Sequence, residues 1–174
     1  MRLERLDLTQ QGVAAAVLEL QRRAYRIEAE LIGSDEIPGL SEALEELQAS
    51  GETFLGAYFE GTLVGAISWR IDAGVLDLHR LVVDPSRFRA GIGAALVRAA
   101  LAAEPEADRA VVQTGSSNEP AKQLYRREGF EEIDEVEVVP GLRVTRFGRR
   151  LCPDAPEPPR PPGPALRERP LSGY

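Results

Sequence analysis

The chain has 174 residues and a formal net charge of −7, with 43% hydrophobic and 28% charged residues. This length and balance fit one globular domain with a buried core. The negative charge excludes nucleic acid as the main partner, because neutralising phosphates needs a basic face. A single cysteine, Cys152, and a single histidine, His79, leave no internal disulfide and no structural zinc set, so no metal is expected. No apolar run reaches the ~20 residues of a membrane span, and the opening stretch from Met1 to Asp7 lacks the apolar centre of a signal peptide. The expectation is a cytoplasmic protein with no membrane role.

In chain order, Arg2–Leu8 alternates like a strand. Thr9 then stands as N-cap of a helix with Val13, Val17, Leu20 and Tyr25 among its apolar positions. Ser41, with glutamate three to four residues on, predicts a second helix striped by Leu40, Leu44 and Leu47. From Thr53 the pattern is β: Thr53–Phe59, a Glu60-Gly61 turn, Thr62–Ile71, a turn near Ala73-Gly74, and Val75–Val83. A helix over Gly93–Ala103 stops before Pro105. Arg109–Thr114 reads as a short buried strand, and Pro120 sits in the first turn of a helix ending at Gly129. Strands near Glu131–Val138 and Arg143–Leu151 flank a Pro140-Gly141 turn. The antiparallel first half and the later strand–helix–strand crossover make this an α/β protein with a mixed sheet.

After Cys152 the composition changes. Residues 153–174 hold eight of the thirteen prolines, which excludes a helix or central strand and divides the chain into a folded domain, 1–152, and a Pro-rich tail, 153–174. Proline restricts such a tail before it docks, and Leu166, Leu171 and Tyr174 are its large apolar groups. The expectation is a strap that crosses to a partner subunit in a homodimer.

The most informative stretch runs from Leu76 to Arg98. A strand ends at Val83, a loop carries Arg87 and Arg89, and Gly91 and Gly93 open a helix whose first N–H groups and dipole face any anion bound there. A dinucleotide fingerprint is opposed by Leu96 at its third glycine and by Val111, Val112 and Gln113 where a ribose-binding acid would stand. Downstream lies Asn118-x-x-Ala121-x-x-Leu124-Tyr125-x-x-x-Gly129-Phe130. With these two motifs the chain resembles the GCN5-related N-acetyltransferases, the GNAT superfamily. Phe88 departs from the Gln or Arg that begins the family's loop pattern. The motifs cover about Thr53 to Leu151; the N-terminal third fits in pattern only.

The resemblance implies the GNAT fold, a mostly antiparallel mixed sheet with a central parallel pair splayed by a bulge and flanked by helices. It implies acetyl-coenzyme A as co-substrate, its pyrophosphate on the N–H groups of Arg89, Ala90, Gly91, Ile92, Gly93 and Ala94, with Arg87 adding charge. Leu81, Val82 and Val83 would meet the pantetheine arm and the thioester carbonyl. Asn118 would contact that arm or cap its helix. Tyr125 would assist thiolate departure or, alternatively, anchor the core. Asp77 and His79, read as alternating onto one face with Leu81 and Val83, are candidates for the base that deprotonates the acceptor.

Every charge from Glu28 to Glu52 is negative: Glu28, Glu30, Asp35, Glu36, Glu42, Glu45, Glu46 and Glu52. Such a run is either a wall that attracts a cationic amine or a solvated helix face. The loop from Gly33 to Gly39 could close over the acceptor. The expected activity is acetyl transfer to a small-molecule or peptide amine by direct attack in a ternary complex. The alternative is a catalytically idle acyl-coenzyme A sensor or scaffold.

Overall fold

A computed structural model describes residues 1–32 and 41–152. The Gly33–Gly39 loop, Leu40 and the Pro-rich tail lie outside the described residues. The chain forms β1 (Arg2–Leu6), α1 (Gln11–Ile32), α2 (Leu44–Gln48), β2 (Thr53–Phe59), β3 (Thr62–Asp72) and β4 (Val75–Val83). It continues through a 3₁₀ turn at Pro85–Arg87 to α3 (Ile92–Ala103), β5 (Arg109–Gly115), α4 (Glu119–Arg127), β6 (Glu131–Val139) and β7 (Leu142–Arg150). One seven-stranded sheet has the order β1-β2-β3-β4-β5-β7-β6. All neighbours are antiparallel except β4 and β5, which run parallel. This is the mixed α/β architecture expected from the sequence. Among the described residues no helix is long and apolar enough to cross a membrane.

Local chemistry accounts for the connections. Glu60 and Gly61 both have positive φ, 50° and 80°, as a tight two-residue hairpin turn requires because its twist must match that of the strands it joins. Two helix starts differ from expectation. Thr9 does not cap α1: the Asp7 carboxylate accepts from Thr9 N at 3.0 Å and from Thr9 Oγ1 at 2.6 Å, so the turn closes first and the helix begins at Gln11. Nor does Ser41 cap α2. Ala43 occupies the N-cap position, and the Glu46 carboxylate bonds its N–H at 2.8 Å.

The sheet has two covered faces. On one, Val17, Leu20, Tyr25 and Leu47 of α1 and α2 pack on Phe54, Leu63, Ala66 and Val82. On the other, Leu96, Val97, Ala121 and Tyr125 of α3 and α4 pack on Ile67, Trp69, Leu76, Leu78, Leu81, Val83, Val112 and Phe147. Gly65 lets α3 sit close: a Cβ there would stand 2.7 Å from Ile92 Cγ2 and 3.0 Å from Leu96 Cδ1. The absent side chain therefore sets the height of the α3 N-terminus above the sheet.

Candidate active site

The site begins with a break in strand pairing. β4 and β5 are in register at Val75↔Arg109, Leu76↔Ala110, Asp77↔Val111 and Leu78↔Val112, and pair no further. Beyond that point β4 still follows β3 while β5 follows β7, so the two parallel strands diverge toward their C-terminal ends. The buried side-chain atoms Gln113 Oε1 and Thr114 Oγ1 have no hydrogen-bond partner among the described residues. Both belong to the part of β5 beyond its pairing with β4, where β5 still pairs with β7. A buried polar atom without a partner is costly, so a ligand that supplies one would be favoured there.

A bulge lies at the same place. Ser68 pairs with Arg80 and Trp69 with Leu78, which leaves His79 as the extra residue of β4. The added residue corrects the expected alternation. Asp77 and His79 do not share a face with Leu81 and Val83, which join Leu76 and Leu78 on the α3–α4 face. Val82 faces α1, and His79 and Arg80 both reach Glu52. A bulge inverts the in-and-out order beyond it, and strict two-residue periodicity cannot anticipate that.

α3 points its first turn at the loop. Gly91 is its N-cap with φ +77°, a left-handed conformation that glycine tolerates, and a Cβ there would meet nothing within 4 Å. Arg89 also has positive φ, 64°. Arg87, Arg89, Ala90 and Gly91 are exposed, Ala94 is half-buried, and Ile92 and Gly93 are buried. The Arg87 guanidinium lies 4.3 Å from the centre of the Phe59 ring. Phe88, at the departing position of the loop pattern, packs its ring against the core.

On α4, Asn118 takes the capping option left open by the sequence: its Oδ1 accepts from Ala121 N at 3.2 Å, and the residue is fully buried. Tyr125 is fully buried too, its ring 5.8 Å from Phe130 and 5.7 Å from Phe147. The anchoring half of its two expected roles is therefore present in the packing.

A buried polar network links the bulge to the segment ahead of α2. Arg80 donates from Nε to Glu52 Oε2 at 2.8 Å, from Nη2 to Glu42 Oε1 at 2.9 Å and from Nη1 to Gln21 Oε1 at 3.0 Å. Ser68 Oγ donates to Glu52 Oε2 at 2.6 Å, and Gln21 Nε2 to Glu42 Oε2 at 2.7 Å. His79 Nδ1 lies 3.0 Å from Glu52 Oε1, and Nε2 lies 3.4 Å from Asp77 Oδ2. Asp77 is the most exposed of the three, at 25% of its side chain against 8% for His79 and 3% for Glu52.

With this geometry in view, residues 50–132 match the family model of the acetyltransferase (GNAT) domain. The ribosomal-protein-S18-alanine N-acetyltransferase of Escherichia coli superposes with a TM-score of 0.71 over 91% of this chain and 98% of its own, at 15% identity. Residues 50–132 of the chain are a GNAT domain. The PaiA N-acetyltransferase of Thermoplasma acidophilum, solved in complex with coenzyme A, shares the GNAT fold at a TM-score of 0.63 and 21% identity, over 86% of this chain and 99% of that one. In sequence, the UPF0157 protein YqkA of Bacillus subtilis (strain 168) is 37% identical over 145 residues, 83% of this chain. Those residues amount to 42% of YqkA, so the chain spans about two fifths of that relative's length.

Three of the acids expected to line an acceptor wall have other partners in this GNAT domain: Glu42 and Glu52 bind Arg80, and Glu46 caps α2. Glu52, Arg80, Gln21 and Ser68 carried no sequence signal of a joint role, being spread over three elements and a loop. The network also sets protonation. Burial opposes charge on Glu52, but its hydrogen bonds to His79 and Arg80, with the Arg80 charge, bring its pKa down from 4.5 to about 2. Burial likewise opposes the His79 cation, and the hydrogen bonds to Asp77 and Glu52 outweigh it, so its pKa is raised above 6.5.

By linkage, the Glu52 contribution to stability is complete above pH 4.5 and is lost as the pH falls toward about 2. The His79 contribution is complete below pH 6.5 and is lost as the pH rises through its folded value. Urea unfolding followed from about pH 3 to about pH 9 is expected to show stability declining on both sides of that window. His79→Gln should remove the alkaline decline and leave the acid one.

Proposed function

We propose that this domain transfers an acetyl group from acetyl-coenzyme A to a primary amine, on a small molecule or peptide, by direct attack in a ternary complex. The observation that carries the reading is the parting of β4 from β5 on the strand that leads to α3, with Gln113 Oε1 and Thr114 Oγ1 buried without a hydrogen-bond partner among the described residues on the same stretch of β5. These features fit a ligand that combines an anion with an amide-bearing arm. The first N–H groups of α3 suit the pyrophosphate, assisted by the positive charge of Arg87 and Arg89. The backbone of Leu81, Val82 and Val83, unpaired on its β5 side, suits the pantetheine amides.

When bound, acetyl-coenzyme A supplies the acyl group as a thioester. In this reading Asp77 holds the acceptor ammonium, Asp77 or His79 removes its proton, and the Tyr125 hydroxyl supplies a proton to the leaving sulfur. Full burial of Tyr125 favours a second reading, an acyl-coenzyme A-binding module without turnover. Release of free coenzyme A with a panel of amines separates the two. Release with one or more amines supports the transferase, and saturable binding without release supports the sensor.

The cofactor site has its own test. Gly91→Glu would place a carboxylate in open space at the α3 N-terminus, with no atom of the fold within 4 Å of the new Cβ. Its charge would oppose the pyrophosphate directly. Calorimetric titration with coenzyme A is expected to show at least a ~10-fold loss of affinity, since two like charges at a helix terminus replace an attraction with a repulsion. Unchanged affinity would place the pyrophosphate elsewhere.

A further inference from the structure

On the acetyltransferase reading above, we infer that Glu52 is a positioning residue for acceptor deprotonation: it holds His79 through Nδ1, so that Nε2, the nitrogen turned toward Asp77, takes the proton. The geometry is a chain of three groups running from the interior to the surface. Glu52 Oε1 lies 3.0 Å from His79 Nδ1, and His79 Nε2 lies 3.4 Å from Asp77 Oδ2. Ser68 Oγ and Arg80 Nε both bond the other Glu52 oxygen, Oε2.

An ionised carboxylate only accepts hydrogen bonds, so Glu52 at 3.0 Å and Asp77 at 3.4 Å compete for the one hydrogen of neutral His79, and the shorter contact holds it on Nδ1. In neutral His79 the lone pair then resides on Nε2, beside the more exposed carboxylate. A carboxylate that fixes the tautomer of an imidazole base is an established catalytic arrangement. Here the bulge supplies it, by turning His79 out of strand alternation toward Glu52.

The charges that surround His79 favour this use. Glu52 approaches from the loop before β2, while Asp77 and Arg80 come from β4. Glu42 comes from the segment ahead of α2 and Tyr25 from α1, both facing Arg80. Arg80 stays cationic throughout, so the group that changes charge in the step is His79. A protonated primary amine drawn to Asp77 gives one proton to Nε2, producing imidazolium and a neutral amine. The nitrogen lone pair forms the C–N bond, the C–S bond breaks with its electron pair on sulfur, and the second nitrogen proton ends on sulfur. The imidazolium then returns its proton to solvent.

Because His79 is the only histidine, its titration can be followed by NMR in the unliganded protein. The wild-type midpoint is expected above 6.5. In Glu52→Gln it should fall, and the acid limb of kcat/KM for amine acetylation should fall with it. The plateau rate should drop roughly 10²-fold or more, within the loss known when the carboxylate orienting a catalytic histidine becomes an amide. Glu52→Asp, which keeps a charged partner for Arg80, provides a second variant with the same criterion of joint movement.

An imidazole midpoint that moves while the acid limb stays fixed overturns the inference and leaves the acetyltransferase reading intact. Absence of acetylation by the wild type with every amine overturns both.

Discussion

Arg80→Met is expected to lower the unfolding free energy by about 3–5 kcal/mol, the cost of leaving a buried carboxylate without its partner. Arg80 is 6% exposed and binds Glu52 at 3% and Glu42 at 13%. The methionine side chain fills a similar volume, so the loss reports charge rather than a cavity. Against the 5–15 kcal/mol typical of a domain this is a large fraction. The sign has an internal check. Without the guanidinium, the hydrogen bonds and charge that hold Glu52 near a pKa of about 2 are partly removed, and the carboxyl can protonate at milder pH. The gap between variant and wild type, measured by urea unfolding, should therefore narrow as the pH is lowered below about 5. A loss under ~1 kcal/mol at neutral pH would mean that the pair's desolvation already cancels its attraction.

The second large effect is on turnover. Tyr125→Phe is expected to reduce kcat by roughly 10²–10⁴-fold, the range of a lost general acid, with coenzyme A affinity and stability close to wild type. The substitution removes only the hydroxyl. The ring contacts with Phe130 and Phe147 remain, and α4 keeps its Asn118 cap and its Pro120 first turn. Steady-state rates, calorimetry and unfolding on the same preparation separate the outcomes. A fall in kcat alone assigns the hydroxyl to chemistry. Full activity assigns Tyr125 to the core, where its burial already gives it a structural role.

Sequence reading reached the parts of this protein that are decided locally. The loop from Asp84 to Gly91 and the start of α3 were legible because glycine and helix-terminal signals act within a few residues. The same holds for α4, whose Asn118 cap, Pro120 and positive-φ Gly129 all lie within one short stretch. Hairpin turns at Glu60-Gly61 and Ala73-Gly74 fixed the antiparallel first half. Capping was less secure where rival donors and acceptors sat close together, as Asp7 against Thr9 and Ala43 against Ser41 show.

Only the tertiary structure decided the rest. The bulge at His79 is a mismatch in register between β4 and β3, so no property of β4 alone reveals it, yet it determines that Leu81 faces α3 while Arg80 faces α1. Glu42 and Glu52 read as members of one acidic run because their common partner, Arg80, is 38 and 28 residues away. By itself the sequence determined the glycine-containing loop and the helix motif that follows it. Folding decided which charges are spent on one another and which, such as Asp77, stay partly exposed, because pairing between distant strands is set by packing rather than by neighbours in the chain.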